Sequence, residues 1–317
     1  MRERIDYIDK ARGVLILLVI IGHIFQSGYV HNLIYSFHIP AFFIISGILF
    51  KYSNATQKSY KSIMISKLYT FGIPFIFFEV YGCLTYIVRF GGGQSIFGFL
   101  YNTLHLTFNN GVNWFLFTLF FGEMIFVIIK KNIRNKWGIL AIATLCFISG
   151  IVLPATNSYI AAFAKILLSV GFLIIGYCFS DYLQTNNLPL MALSIVLTVL
   201  ITYLNGSVDM NSLRMNNMFL FILGSITGTY LVIQLGRLPL GNLMNYIGKN
   251  TILIYGTHNA LYVITGNLLG VTDFAYTPIF IGIIIFAIVL LVELPLVYIF
   301  NRYLPFMIGK KKKTIKS

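Results

Sequence analysis

The sequence predicts an all-α membrane protein, a polytopic bundle of about ten transmembrane helices with both termini in the cytoplasm. Three observations predict it. The 317 residues are 58% hydrophobic and 10% charged, whereas a soluble domain carries about 25% charged residues. Mean hydropathy is +0.83, and the apolar residues fall in runs long enough to cross a bilayer, which takes about 17–25 residues. The formal charge of +14 sits in short segments between those runs, as the positive-inside rule expects. That placement argues against nucleic acid as a partner.

Ten spans are expected, at residues 11–29, 33–50, 68–90, 112–129, 138–153, 160–179, 188–204, 215–235, 246–269 and 278–300. With the N-terminus in the cytoplasm, twenty of the 23 Lys and Arg residues fall on the cytoplasmic side. The exceptions are Arg89, Lys165 and Arg214. The bias supports an even number of spans and one integral-membrane domain over residues 1–317, ending in a basic tail at about 301–317. Lysines at 310–313 suit anionic lipid head groups, so membrane lipids are expected partners.

The first span opens Asp9-Lys10-Ala11-Arg12-Gly13, then runs entirely in Val, Leu and Ile to Gly22-His23. At about 1.5 Å per residue, Arg12 and His23 stand roughly 16 Å apart along a helix. A cation then lies at the water boundary and an imidazole near mid-bilayer, where a polar group needs a reason. The second span opens Phe37-His38-Ile39-Pro40, since Pro is tolerated near a helix start. Its Ser46-Gly47 pair suits close helix packing. The third span carries Glu79 and ends at Arg89. Residues 91–111 lack Lys, Arg, Asp and Glu but are rich in aromatics and Asn. They should lie in the interface or fold back over the bundle.

The fourth span starts Asn113-Trp114-Phe115-Leu116 and holds Glu123. Lys165 in the sixth should snorkel or face a cavity. The eighth is rich in Gly and Thr, and the tenth holds Glu293. The ninth reads Ile247-Gly248-Lys249-Asn250-Thr251, then Tyr255 and His258, bringing a second histidine near mid-membrane. Cys83, Cys146 and Cys178 lie in apolar stretches without metal-ligand spacing and read as small core residues. His31 and His105 fall outside the spans and are expected to be solvated.

Chemistry-bearing groups inside the spans are few: His23, His38, Glu79, Glu123, Lys165, His258 and Glu293. A neutral imidazole is suited to taking a proton from a hydroxyl, and a nearby group can hold its tautomer. Glu79 and Glu293 suit helix–helix hydrogen bonding as well as function. Serine nucleophile elbow, phosphate-cradling glycine loop and zinc motif are all missing, so no metal is expected. A polysaccharide or lipid transporter would also use intramembrane charges, but it should show inverted repeats, and none is visible. A bis-histidine haem protein using His23 and His258 is a further alternative.

Several segments resemble the acyltransferase family 3 membrane proteins. They are residues 6–13 through Gly22-His23 with an Arg–ten residues–His spacing, residues 36–47, Asn113-Trp114-Phe115-Leu116, and residues 247–251 through Tyr255 and His258. The likeness is greatest to the fucose 4-O-acetylase-like branch. The resemblance implies ten spans and transfer of acetyl from acetyl-CoA to a hydroxyl of a surface or lipid-linked carbohydrate, in a bacterial cell membrane. No tightly bound cofactor is implied, since acetyl-CoA is the donor substrate. The resemblance places the arginine at Arg12 and the catalytic histidine at His23. Glu123 or His258 would orient His23 or stabilise charge. Arg12, Lys61 and Lys67 would meet the CoA phosphates, Arg in bidentate fashion. Where the family pattern has an Arg–two residues–Arg pair, this chain has Met64 and Lys67. The acceptor would enter past Trp114, with His38, Arg89, Asn113 and the neighbouring Asn109 and Asn110 as contacts.

Overall fold

The computed structural model describes residues 6–53, 55–90, 96–153 and 155–310. Arg2, Arg4 and the lysines at 311–313 and 316 lie outside the described residues. Within them the chain is all-helical, as expected. The helices are α1 (Asp6–Ile24), α2 (Gly28–Tyr35), α3 (His38–Ser53), α4 (Tyr60–Lys67), α5 (Ile73–Phe90), α6 (Ile96–Leu104), α7 (Asn113–Asn132), α8 (Lys136–Val152), α9 (Ser158–Cys178), α10 (Ser180–Leu183), α11 (Leu188–Asn205), α12 (Met218–Arg237), α13 (Gly241–Gly248), α14 (Thr251–Leu268) and α15 (Ile279–Tyr303).

Seven stretches among the described residues are long and apolar enough to cross a membrane: Gly28–Ser53, Tyr60–Thr85, Asn113–Asn132, Ser158–Cys178, Leu188–Asn205, Met218–Arg237 and Ile279–Tyr303. Three further expected spans correspond to α1, α8 and α14. α8 has only 17 residues. α1 carries Asp6, Asp9, Lys10 and Arg12, and α14 carries Thr, Tyr, His and Asn. The last two can be this polar because α1 packs on α12, α13, α14, α2 and α3, so their polar groups meet protein and not hydrocarbon. α15 is the opposite case. Its most apolar window has mean hydropathy 2.9 yet is only 22% buried inside the protein, which suits a lipid-facing helix.

Proline explains two breaks. The expected span 33–50 is split: α2 stops at Tyr35 and α3 begins at His38. Pro40 cannot donate to the carbonyl of Ser36, and its ring would strike it in a continuous helix. That freed carbonyl accepts instead from Ser225 Oγ on α12 at 3.3 Å. Ahead of Pro74, the backbone loosens into a π-helical turn at Leu68–Gly72, one way to relieve the missing i−4 bond. The first expected span, 11–29, ends early at Ile24. Gly28 with φ +82° then turns the chain back into α2.

Small residues set the closest helix contacts. A Cβ on Gly47 would strike the backbone of Leu173 and Tyr177, and one on Gly176 the backbone of Ile44. α3 and α9 therefore touch backbone to backbone. Gly248 likewise lets the end of α13 rest on the Asp9 carbonyl of α1.

Candidate active site

α1 carries Arg12 and His23 at two depths, and α14 runs beside it. At the shallow level Arg12 Nη2 donates to Thr251 Oγ1 at 2.8 Å, and Nη1 lies 3.6 Å from Asp9 Oδ1. Thr251 is the first residue of α14, so this bond ties the two helices at one end.

At the deeper level the rings of His23 and His258 lie 5.2 Å apart. Tyr262 lies nearly parallel to His23 at 5.9 Å, and Tyr35 approaches edge-on at 6.2 Å. Gln26 Nε2 donates to the His23 carbonyl at 3.0 Å and to Tyr262 Oη at 3.3 Å, holding the end of α1 to α14. His23 as a residue is half-buried, and its ring makes no hydrogen bond among the described residues.

The tautomer of His258 follows from its neighbours. Its Nδ1 lies 3.0 Å from Ile254 O and 2.8 Å from Tyr255 O. Carbonyls only accept, so Nδ1 carries the proton and Nε2 the lone pair. That Nε2 is buried without a hydrogen-bond partner among the described residues. His38 follows the same logic, with Nδ1 at 2.8 Å from Ile34 O. Its ring lies 4.7 Å from Tyr35.

His31 is a correction. It is buried, not solvated. Its Nδ1 reaches Gly22 O at 3.1 Å and Phe25 O at 3.0 Å, and its ring stacks on Tyr35 at 3.9 Å. The turn at Gly28 folds α2 back beneath the end of α1, so the imidazole satisfies carbonyls that the helix end leaves open. His105 is half-buried, stacked on Tyr101 at 3.9 Å.

A cavity of about 770 Å³ opens beside Arg12 and Thr251. Its polar lining includes Arg12, Ser46, Lys67, Glu123 and Thr251, and Phe42, Phe115, Leu116 and Tyr255 supply apolar wall. Lys67 Nζ lies 2.6 Å from Glu123 Oε2 and 4.7 Å from the centre of the Phe50 ring. Ser46 Oγ donates to Glu123 Oε1 at 2.5 Å. Ser46 thus holds the carboxylate, while its neighbour Gly47 does the packing. Tyr255 borders the cavity and also lies 5.8 Å from His258 and 5.0 Å from Phe115.

The structure therefore sorts the sequence candidates into groups. His23, His38 and His258 share one aromatic cluster. Arg12, Lys67 and Glu123 share the cavity, and the described contacts of Glu123 run to Lys67 and Ser46, not to a histidine. Lys61 is exposed on α4 and does not line the cavity. The Arg89 side chain lies outside the described residues.

Asn113, Asn109 and Thr103 converge on Glu79, which is 2% exposed. Asn113 Nδ2 donates to Oε1 at 2.7 Å, and Asn109 donates to Oε2 through Nδ2 at 2.7 Å and its backbone N–H at 2.9 Å. Thr103 Oγ1 donates to Oε2 at 3.2 Å. Asn110 Nδ2 donates to Gly256 O at 2.9 Å. The described part of the uncharged segment is thus folded back over the bundle, with its amides used internally. Trp114 is buried beneath Lys165, whose Nζ lies 5.3 Å from the ring centre.

Sequence reasoning overlooked Tyr262, Gln26 and Tyr35. For Tyr262 a signal existed: Tyr255, His258 and Tyr262 are spaced i, i+3, i+7 and so share one helix face. Gln26 and Tyr35 carried none, because their role depends on how α2 folds back. Among the described residues no group of three or more His, Cys, Asp or Glu is placed to hold a metal.

The family model for an acyltransferase domain matches residues 5–298. No curated protein and no solved structure matches the chain. The match takes in Arg12, His23, Glu123 and His258 alike, and it accords with an apolar, multi-pass helical bundle built around two facing histidines. The chain belongs to the acyltransferase family 3 of membrane proteins.

Proposed function

We propose that this protein is a ten-span O-acetyltransferase, with both termini cytoplasmic, that moves acetyl from acetyl-CoA to a hydroxyl of a surface or lipid-linked carbohydrate in a bacterial cell membrane. The whole chain, residues 1–317, acts as one integral-membrane domain. The observation that carries the reading is the position of Tyr255, which borders the cavity on one side and the His23–His258 pair on the other.

In this reading Arg12 and Lys67 meet the phosphates of CoA at the cavity mouth, with Lys61 on the exposed rim. The lining of Phe42, Phe115 and Leu116 suits the thin, largely apolar pantetheine arm. Binding a polyanion draws Lys67 away from Glu123, so Glu123 acts on donor binding through Lys67. The thioester then reaches the level of Tyr255.

His23 takes the proton of the acceptor hydroxyl as that oxygen attacks the thioester carbonyl carbon. The carbon–sulfur bond breaks, CoA leaves as thiolate, and the imidazolium proton passes to it. General-base help of this kind is worth about 10²–10⁴-fold. His258, with its lone pair on Nε2, accepts a hydrogen bond from the His23 imidazolium as it forms. His38 and Trp114 lie on the acceptor side, Arg89 is assigned there by its place in the chain, and Asn113 supports that side through Glu79.

The test is mass spectrometry of surface glycans from cells with and without the protein. Glycans heavier by one acetyl group only when it is present support the reading. Identical glycans, together with no transfer of label from acetyl-CoA in isolated membranes, would refute it.

A further inference from the structure

The segment between α11 and α12 enters the bundle. Val208 is fully buried, and Met210 and Met215 are nearly so. An antiparallel bridge pairs Asp209 with Arg214, through bonds of 2.7 and 2.9 Å. Asn216 Nδ2 donates to Asn205 O at 2.6 Å, and Asn217 N donates to Asn205 Oδ1 at 2.9 Å. Leu213 and Asn216 hold φ of +56° and +51°, a strain that persists only when surrounding structure over-determines it. This is a fixed turn, inserted apolar side first.

The turn carries a carboxylate at Asp209. Asp209 is half-buried, and its Oδ1 accepts from Asn211 N at 2.8 Å. Its Oδ2 makes no hydrogen bond or ion pair among the described residues. Among the buried glutamates, Glu123 has Lys67 and Glu79 has Asn109 and Asn113, while Glu293 accepts from Thr257 on Oε1 at 2.7 Å and has no hydrogen-bond partner on Oε2 among the described residues. Asp209 is within electrostatic reach of His23, Tyr35, His38 and Lys165. Lys165 Nζ donates to Asn211 Oδ1 at 3.0 Å and rests over Trp114.

We propose that Asp209, Asn211 and Lys165 form an acceptor-binding lip, seated on Trp114 through Lys165, that takes the adjacent hydroxyls of a neutral sugar ring. Each hydroxyl of such a ring both donates and accepts. The open carboxylate oxygen receives two donors, while the ammonium and the Asn211 amide supply donors to the next oxygens. A lone alcohol on an apolar chain needs no such alternation. Trp114 seats Lys165 by cation–π attraction, and at 8% exposure it is too covered to serve as a broad stacking face. The assignment rests on the carbohydrate-acceptor reading above and names the groups that would select the ring.

The test separates binding from transfer. The full chain has two tryptophans, and Trp137 is 76% exposed. With Trp137→Phe, Trp114 becomes the sole tryptophan reporter. The purified protein in detergent is titrated with methyl glycosides of neutral hexoses, and its emission is followed. The expected result is a saturable change whose Kd rises about tenfold or more in both Asp209→Asn and Lys165→Met, since bonds to charged groups are worth that much. The change persists in His23→Ala, and both lip variants keep the parent melting temperature. No saturable change in the parent, an unchanged Kd in both lip variants, or equal binding of cyclohexanol overturns the lip. Labelled acetyl transfer is measured on the same samples. Its absence from a protein that binds glycosides through Asp209 refutes the transferase reading and leaves the lip standing.

Discussion

Lys67 and Glu123 face each other at 2.6 Å across the wall of the cavity, the carboxylate 1% exposed and the ammonium side chain 22%. A pair this covered is asymmetric in what its loss costs. Lys67→Met leaves an uncompensated buried carboxylate, which typically costs about 3–5 kcal/mol. Partial exposure of Lys67 should bring the cost to the lower end. The double variant Lys67→Met with Glu123→Gln removes both charges and should recover most of the loss. Thermal unfolding in detergent checks this, and a double variant no more stable than the single one would contradict it.

His23→Ala should abolish transfer by about 10²–10⁴-fold, the usual scale of a general base, while the protein still inserts. His258→Phe removes the Nε2 acceptor from a ring 5.2 Å from His23 and should lower the maximal rate more than it changes the KM for either substrate. Labelled acetyl transfer in isolated membranes measures both. Wild-type rates in His23→Ala would sink the assignment.

Gly176→Ala places a methyl group against the backbone of Ile44. A backbone cannot swing aside as a side-chain tip can, so α3 and α9 must separate. Overpacking of this kind typically costs about 1–3 kcal/mol. The expected signature is a lower melting temperature. Gly28→Ala tests a different cause, because its added Cβ meets no neighbour within 4 Å and the burden is the φ of +82° alone.

Glu79→Gln should unseat the fold-back segment. The carboxylate accepts from Asn109 and Thr103 on one oxygen and from Asn113 on the other. An amide offers one acceptor and turns a donor toward a donor. The segment that carries Asn110 to the Gly256 carbonyl should loosen, seen as faster proteolytic cleavage near residues 105–112. Cleavage at the wild-type rate would show that Glu79 does not hold it.

Much of this protein follows from the chain alone. The all-helical, membrane-crossing character, the Arg12–His23 helix and a second histidine at His258 were legible because hydropathy and residue spacing are local properties. Helix register then ranks groups by depth. The break before Pro40 was half-legible: proline signals a helix start, but the sequence did not show that the freed Ser36 carbonyl would find Ser225. Pairings between helices were beyond reach. Hydropathy and spacing along the chain do not say that Glu123 meets Lys67 and not a histidine, or that His31 tucks beneath the end of α1. Nor do they say that the turn at Asp209 enters the bundle. Those contacts join residues far apart in sequence, and only packing decides them, through the glycines that let helices touch and the buried polar groups that must each find a partner.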